Sequence, residues 1–133
     1  MSSGNLSVVQ QVYERFGAGD VAAILACLTD DVRWEVVGPP DAYPLFGVRT
    51  GTAEVLAFFQ GVGENEDFTD FSPRRFLAEG DTVVVVGHAA YRLKHTGAQV
   101  DTDWVHVFTL RDGKVSGFQE YADSAQIAAG YRR

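Results

Sequence analysis

The chain has 133 residues, 46% of them hydrophobic and 22% charged, which suits one domain with a sizeable core and excludes a disordered polypeptide. A formal net charge of −7 leaves no basic footprint for nucleic acid or an anionic membrane surface, so neither partner is expected. A single cysteine excludes an internal disulfide, no apolar run approaches the roughly 20 residues of a membrane span, and the opening Met-Ser-Ser-Gly-Asn has no signal-like character, so a cytoplasmic setting is expected.

In chain order, Leu6, Val9, Val12, Tyr13 and Phe16 fall on one helical stripe, with Gln10, Gln11, Glu14 and Arg15 outside it. Gly17 and Gly19 stop that helix, and Asp20 is placed to cap a second, in which Val21, Ile24, Leu25 and Leu28 repeat at helical spacing. Asp30-Asp31 ends it. Residues 32–37 alternate as a strand, with Trp34 and Val36 on one face and Arg33, Glu35 and Val37 on the other. The Pro- and Gly-rich segment 38–50 reads as a loop carrying Tyr43 and Phe46, either covering something or packed as a surface flap. A third helix follows from about Thr52, with Val55, Phe58, Phe59 and Val62 on its apolar face and Glu54 in its first turn. Glu64, Glu66, Asp67 and Asp70 then read as a solvated acidic connection.

From Phe68 onward the period changes from 3.6 to 2. Turns at Glu79-Gly80-Asp81, Thr96-Gly97 and Asp112-Gly113 separate four strands that follow one another as a meander. Helices first and strands afterwards make the α+β pattern, and no repeat or linker divides residues 1–133. The expected architecture is three N-terminal-half helices packed on a strongly curved mixed or antiparallel sheet, forming a cone with an apolar pocket.

The closing hairpin carries the chemistry. Trp104, His106, Phe108 and Leu110 share one face of the incoming strand, and Phe118, Glu120 and Ala122 share one face of the outgoing strand. An imidazole exchanges its proton near neutrality, and a glutamate set among aromatic rings is a candidate to take or hold one, so His106 and Glu120 are the candidate catalytic pair. The same two side chains would also suit a satisfied buried pair, or two groups that hydrogen-bond a ligand. Trp34, Tyr43, Phe59, Trp104 and Phe118 are candidate walls for a substrate, with Trp34 and Tyr43 at the mouth. His88 is a candidate to join them, because the Thr96-Gly97 turn brings it towards residues 105–106, although its facing depends on turn length by one residue. His95 adjoins a turn and is expected in solvent, and Asp101 and Asp103 alternate outward. His88, His106 and Glu120 lack the tight spacing of a metal site, so no metal is expected.

Three segments resemble a known superfamily. Val8-Val9-Gln10 through Gly17-Ala18-Gly19-Asp20 to Leu28-Thr29-Asp30-Asp31-Val32-Arg33-Trp34 is similar to the opening of nuclear-transport-factor-2-like cone-fold domains. Gly47 through Thr50-Gly51-Thr52-Ala53-Glu54 to Phe58-Phe59 resembles their third helix. Asp112-Gly113-Lys114-Val115 to Phe118-Gln119-Glu120-Tyr121-Ala122-Asp123 is similar to the closing hairpin of the SnoaL-like polyketide cyclase branch, relatives of ketosteroid isomerase. The resemblance implies a fold shared by isomerases, cyclases, epoxide hydrolases, dehydratases and non-catalytic modules. Laid on the ketosteroid isomerases, the base position falls at Val36 with Glu35 beside it, the tyrosine position at Val12 with Tyr13 beside it, and the aspartate donor at or near His106, so that constellation is not intact. The Arg-x-Asp pair of limonene-epoxide hydrolases is replaced by Trp104-Val105-His106. Glu120 is the nearest match to the acid/base carboxylate of SnoaL-like cyclases. The resemblance also implies a homodimer through the outer face of the sheet, where Gln119 and Tyr121 point. The expected function is a metal- and cofactor-independent acid/base enzyme acting on a compact hydrophobic, carbonyl-bearing small molecule. A ligand-binding module and a dimerisation domain are the alternatives.

Overall fold

The computed structural model describes residues 2–132. The elements run α1 (Ser2–Gly17), α2 (Val21–Leu25), β1 (Leu28–Val36), β2 (Gly47–Thr50), α3 (Thr52–Asn65), β3 (Glu66–Glu79), β4 (Thr82–Leu93), β5 (Gln99–Arg111), β6 (Lys114–Ala122) and α4 (Ser124–Arg132). One six-stranded sheet has the order β2-β1-β6-β5-β4-β3, antiparallel throughout except where β1 runs parallel to β6. The α+β class, the three N-terminal-half helices and the meander β3–β6 stand as the sequence implies.

Local chemistry explains the joints. The Asp20 carboxylate accepts the Ala23 N–H at 3.1 Å and caps α2. Asp112 and Gly113 both take positive φ, 53° and 80°, which a two-residue hairpin with the right twist requires. Pro73 is tolerated within β3 because that strand is an edge, and register shifts at Phe68/Asp70 and Pro73/Arg75 bend it. That bending folds the long strands of the meander over α1, so Val9 and Val12 are buried in one core with Val83, Val85, Phe108 and Val115.

Four boundaries differ from the sequence reading. The second helix ends at Leu25, and Leu28 already belongs to β1, where it lies beside Val115 of β6. The loop 38–50 contains the short strand β2, whose Val48 lies opposite Glu35. The acidic connection is not a loop: Glu66, Asp67 and Asp70 lie in β3, laddered on β4. A fourth helix, α4, follows the last strand and buries Ile127, Ala128 and Gly130. The Gln126 side chain there accepts from Asp101 N at 2.8 Å and donates to Asp101 O at 3.1 Å, substituting for a neighbouring strand where β5 runs past the end of β6. Among the described residues no helix is long and apolar enough to cross a membrane.

Candidate active site

The inner face of the sheet, α1, α3 and the loop before β2 form a cavity that opens to solvent. Its wall is mainly aromatic and aliphatic, and among the described residues no lysine or arginine lines it. Strand pairing sets the polar groups. His106 lies directly opposite Glu120 across β5 and β6, with Phe108 opposite Phe118 one step along the same face. The parallel β1–β6 pairing puts Trp34 beside Phe118, and the two rings stack at 3.9 Å between centroids.

Three side chains form one hydrogen-bonded chain. The Tyr13 hydroxyl lies 2.7 Å from His106 Nδ1, and His106 Nε2 lies 2.8 Å from Glu120 Oε1. Burial, with the Glu120 charge adding to it, pushes the Tyr13 hydroxyl far above its ordinary pKa, so it remains a phenol. An ionised Glu120 carboxylate only accepts, so Nε2 carries the proton that bonds Oε1, and the Tyr13 hydroxyl, which can donate or accept, completes the chain at Nδ1. His106 is only 4% exposed, whereas the Glu120 side chain keeps 26% of its surface. Glu120 Oε2 takes no hydrogen bond among the described residues and is not sealed from solvent.

A second polar cluster lies at the junction of α3 and β3. The Tyr43 hydroxyl donates to Glu66 Oε2 at 2.7 Å. Burial pushes the Glu66 carboxyl up to about 8; the Tyr43 bond works against that shift, and the charge of Glu120 works with it. Tyr91 lines the same region, its hydroxyl pushed far above its ordinary range by burial and then by Glu66 and Glu120. Arg49 on β2 holds the loop that delivers Tyr43, donating to Pro44 O at 2.9 Å and Leu45 O at 2.6 Å while its guanidinium lies 5.1 Å from the Phe58 ring centre.

The structure brings together six of the eight residues singled out from the sequence: His106, Glu120, Trp34, Tyr43, Phe59 and Phe118 all line the cavity. Trp104 does not line it. It is buried behind His106, with its ring stacked on the imidazole at 3.9 Å between centroids. His88 is on the opposite face: it pairs with Asp103, not with residues 105–106, and its ring binds Asp101 at 2.8 Å and Asp103 at 2.9 Å. The turn into β5 is one residue different in parity from what a His88 facing the cavity would need. The hydrogen bond to Asp103 raises its pKa; desolvation opposes the rise and the Asp101 charge adds to it.

Sequence reasoning missed Tyr13 and Glu66. Tyr13 was absorbed into the apolar stripe of α1, although a buried tyrosine needs a partner for its hydroxyl. Glu66 was hidden in an acidic run; carrying the period of 2 back from Phe68 puts it on the same face as that phenylalanine. Among the described residues no three His, Cys, Asp or Glu side chains are grouped to hold a metal ion.

With fold and cavity defined, the comparisons place the chain. The SnoaL-like domain family matches residues 9–118, and the chain belongs to that family. An NTF2-like protein from Burkholderia xenovorans LB400 is 31% identical, with 98% of each chain covered and a TM-score of 0.90. TerC, co-crystallised with polyporic acid, is 27% identical, covering 98% of this chain and 99% of its own at a TM-score of 0.85. A putative SnoaL-like polyketide cyclase from Mesorhizobium loti shares the fold at 22% identity and a TM-score of 0.71, covering 86% of this chain and 96% of its own. No curated protein matches the chain.

Proposed function

We propose that this protein binds a compact, hydrophobic, carbonyl-bearing molecule and moves protons on it without metal or organic cofactor, as an isomerase, cyclase or hydrolase. The observation that carries this reading is the Tyr13–His106–Glu120 chain, which ends in an aromatic cavity on a carboxylate oxygen without a partner among the described residues. Glu120 Oε2 takes a proton from carbon next to the substrate carbonyl. His106 holds Oε1 through Nε2–H and fixes the carboxylate's orientation, and Tyr13 at Nδ1 fixes the orientation of the imidazole ring. Returning the proton at a different carbon gives an isomerase; attack by the carbon nucleophile on a second carbonyl of the same molecule gives a cyclase. Trp34, Phe59 and Phe118 supply the apolar wall, and Trp104 backs the imidazole. We place the protein in the cytoplasm as a homodimer joined through the outer face of its sheet.

The test is proton exchange. Wild-type protein incubated in D2O with a panel of aryl ketones and β-diketones is expected to label the α-carbon of at least one compound above the buffer rate, read by NMR. Glu120→Gln should lower that rate by about 10²–10⁴-fold while retaining ligand binding. A panel that binds but never exchanges points instead to a ligand carrier. TerC's co-crystallisation with polyporic acid, and the fully satisfied state of His106, are the observations that favour that second reading.

A further inference from the structure

Glu66 takes no part in the Tyr13–His106–Glu120 chain, yet it lines the same cavity. Its backbone leaves α3 and enters β3 opposite Leu93, and Phe68, two residues on, packs on Tyr91 at 5.2 Å between ring centroids. Tyr43 fixes Oε2, while Oε1 takes no hydrogen bond among the described residues and is not sealed. Tyr43 from the loop, Tyr91 from β4 and Glu120 from β6 act on it directly; the other titratable groups of the cavity are His106 from β5 and Tyr13 from α1, and Tyr131 of α4 packs on Tyr43 at 5.2 Å between ring centroids. Among the described residues no cation pairs with it. Lys94, beyond Leu93, gives its ammonium to Gly63 O at 2.7 Å, and Arg92 pairs with Asp67 at 3.4 Å.

We propose that Glu66 is a second working carboxyl of this cavity, a neutral acid that donates from Oε1 to the carbonyl oxygen of the substrate whose acidic carbon meets Glu120. The assignment rests on the function proposed above and narrows its substrate to an enolisable ketone with an apolar body. A bare carboxylate buried beside a second carboxylate is the costlier state there: burial raises Glu66 to about 8, the Glu120 charge adds to the rise, and the Tyr43 bond only partly opposes it. Bond changes balance. The α C–H bond breaks and its proton joins Glu120 Oε2; the electron pair becomes the enol C=C bond; the carbonyl oxygen takes the proton of Glu66 Oε1, leaving a carboxylate. The reverse transfers, at the same or a neighbouring carbon, restore both groups.

The test uses 2-acetylnaphthalene, an enolisable ketone with no ionisable group, titrated into the full chain by calorimetry between pH 6 and 9.5. Wild-type affinity should be level below about pH 7 and fall about tenfold per unit well above pH 8. Glu66→Gln, which keeps a donor, should bind with a level profile across the range, and Glu66→Leu should bind about tenfold more weakly throughout. Glu120→Gln should keep the fall, moved to lower pH because the neighbouring charge is gone. A carboxyl ¹³C resonance of glutamate-labelled, ligand-free protein, absent in Glu66→Gln, should titrate near pH 8. A level wild-type profile, a fall that persists in Glu66→Gln, no binding of the ketone at any pH, or titration of that resonance in the ordinary carboxylate range overturns the assignment. Failure of deuterium exchange with the pH profile intact removes the proton-transfer reading and leaves Glu66 as a ligand donor.

Discussion

Glu66 makes a prediction about stability that is independent of any ligand. Folded, its carboxyl keeps its proton to about pH 8. Unfolded, it ionises in the ordinary range near ~4.3. Below that range both states are protonated and the group has no effect on folding. Between it and pH 8 the unfolded chain releases a proton that the folded chain retains, so this residue makes stability fall as pH rises; above pH 8 the loss levels off. Its size is on the order of a few kcal/mol. Urea unfolding of Glu66→Gln should therefore match wild type near pH 4 and exceed it at pH 8. Parallel profiles for the two proteins would show that Glu66 is not a buried acid. His106 depends on its neighbours in a different way: its two ring nitrogens are both engaged, and the acceptor-only Glu120 carboxylate, not solvent, puts a proton on Nε2.

At the scale of elements, the site depends on how closely β3, β4 and β5 approach one another. Gly87 on β4 sits opposite Trp104 on β5, and a Cβ there would meet Trp104 Cη2 at 2.5 Å and Ser72 O of β3 at 2.6 Å. Only a hydrogen at that position lets the indole lie flat behind His106. Gly87→Ala should cost about 1–3 kcal/mol in urea unfolding and shift the His106 ring resonances in ¹⁵N-histidine spectra. A loss of stability with unchanged His106 signals would mean that Trp104 packs behind the imidazole without positioning it. The loop before β2 is a second such joint. It reads as coil in isolation, but the Arg49 fork on two of its carbonyls makes it a fixed wall that holds Tyr43 over Glu66.

For the whole molecule, the outer face of the sheet is the open question that solution measurements answer directly. Val84 and Val86 of β4 pair with Val107 and Val105 of β5, all four half-buried, and Tyr121 beside them is 44% exposed. An apolar patch at the centre of a sheet face suits an isologous contact between two copies. Wild type is expected to sediment as a dimer at micromolar concentration, and Val105→Lys with Val107→Lys to sediment as a folded monomer. A monomeric wild type would retire the dimer. The variant's circular dichroism separates loss of assembly from loss of fold.

Much of this protein is written in local pattern. The helical stripe of α1, the alternation of β4 to β6 and the Asp112-Gly113 turn are all short-range signals, and alternation put His106 and Glu120 each on the aromatic face of its own strand. That they lie opposite each other was not fixed by the turn, because the register shifts by one residue between Thr109 and Leu110, without which His106 would pair with Gln119. The facing of His88 was not legible either, because one residue of slip between β4 and β5 reverses it. Nor was Trp104's place behind the imidazole, since the strand pattern shows only that it is inward. Tyr13 and Glu66 were hidden for a further reason. Their roles require α1, the α3–β3 junction and the loop carrying Tyr43 to arrive at one cavity, and no spacing within any single segment encodes that meeting. Alternation along the chain determines which face a side chain takes; the bends of β3, the parallel β1–β6 pairing and the Arg49 fork decide which faces meet, because those depend on packing between segments far apart in sequence.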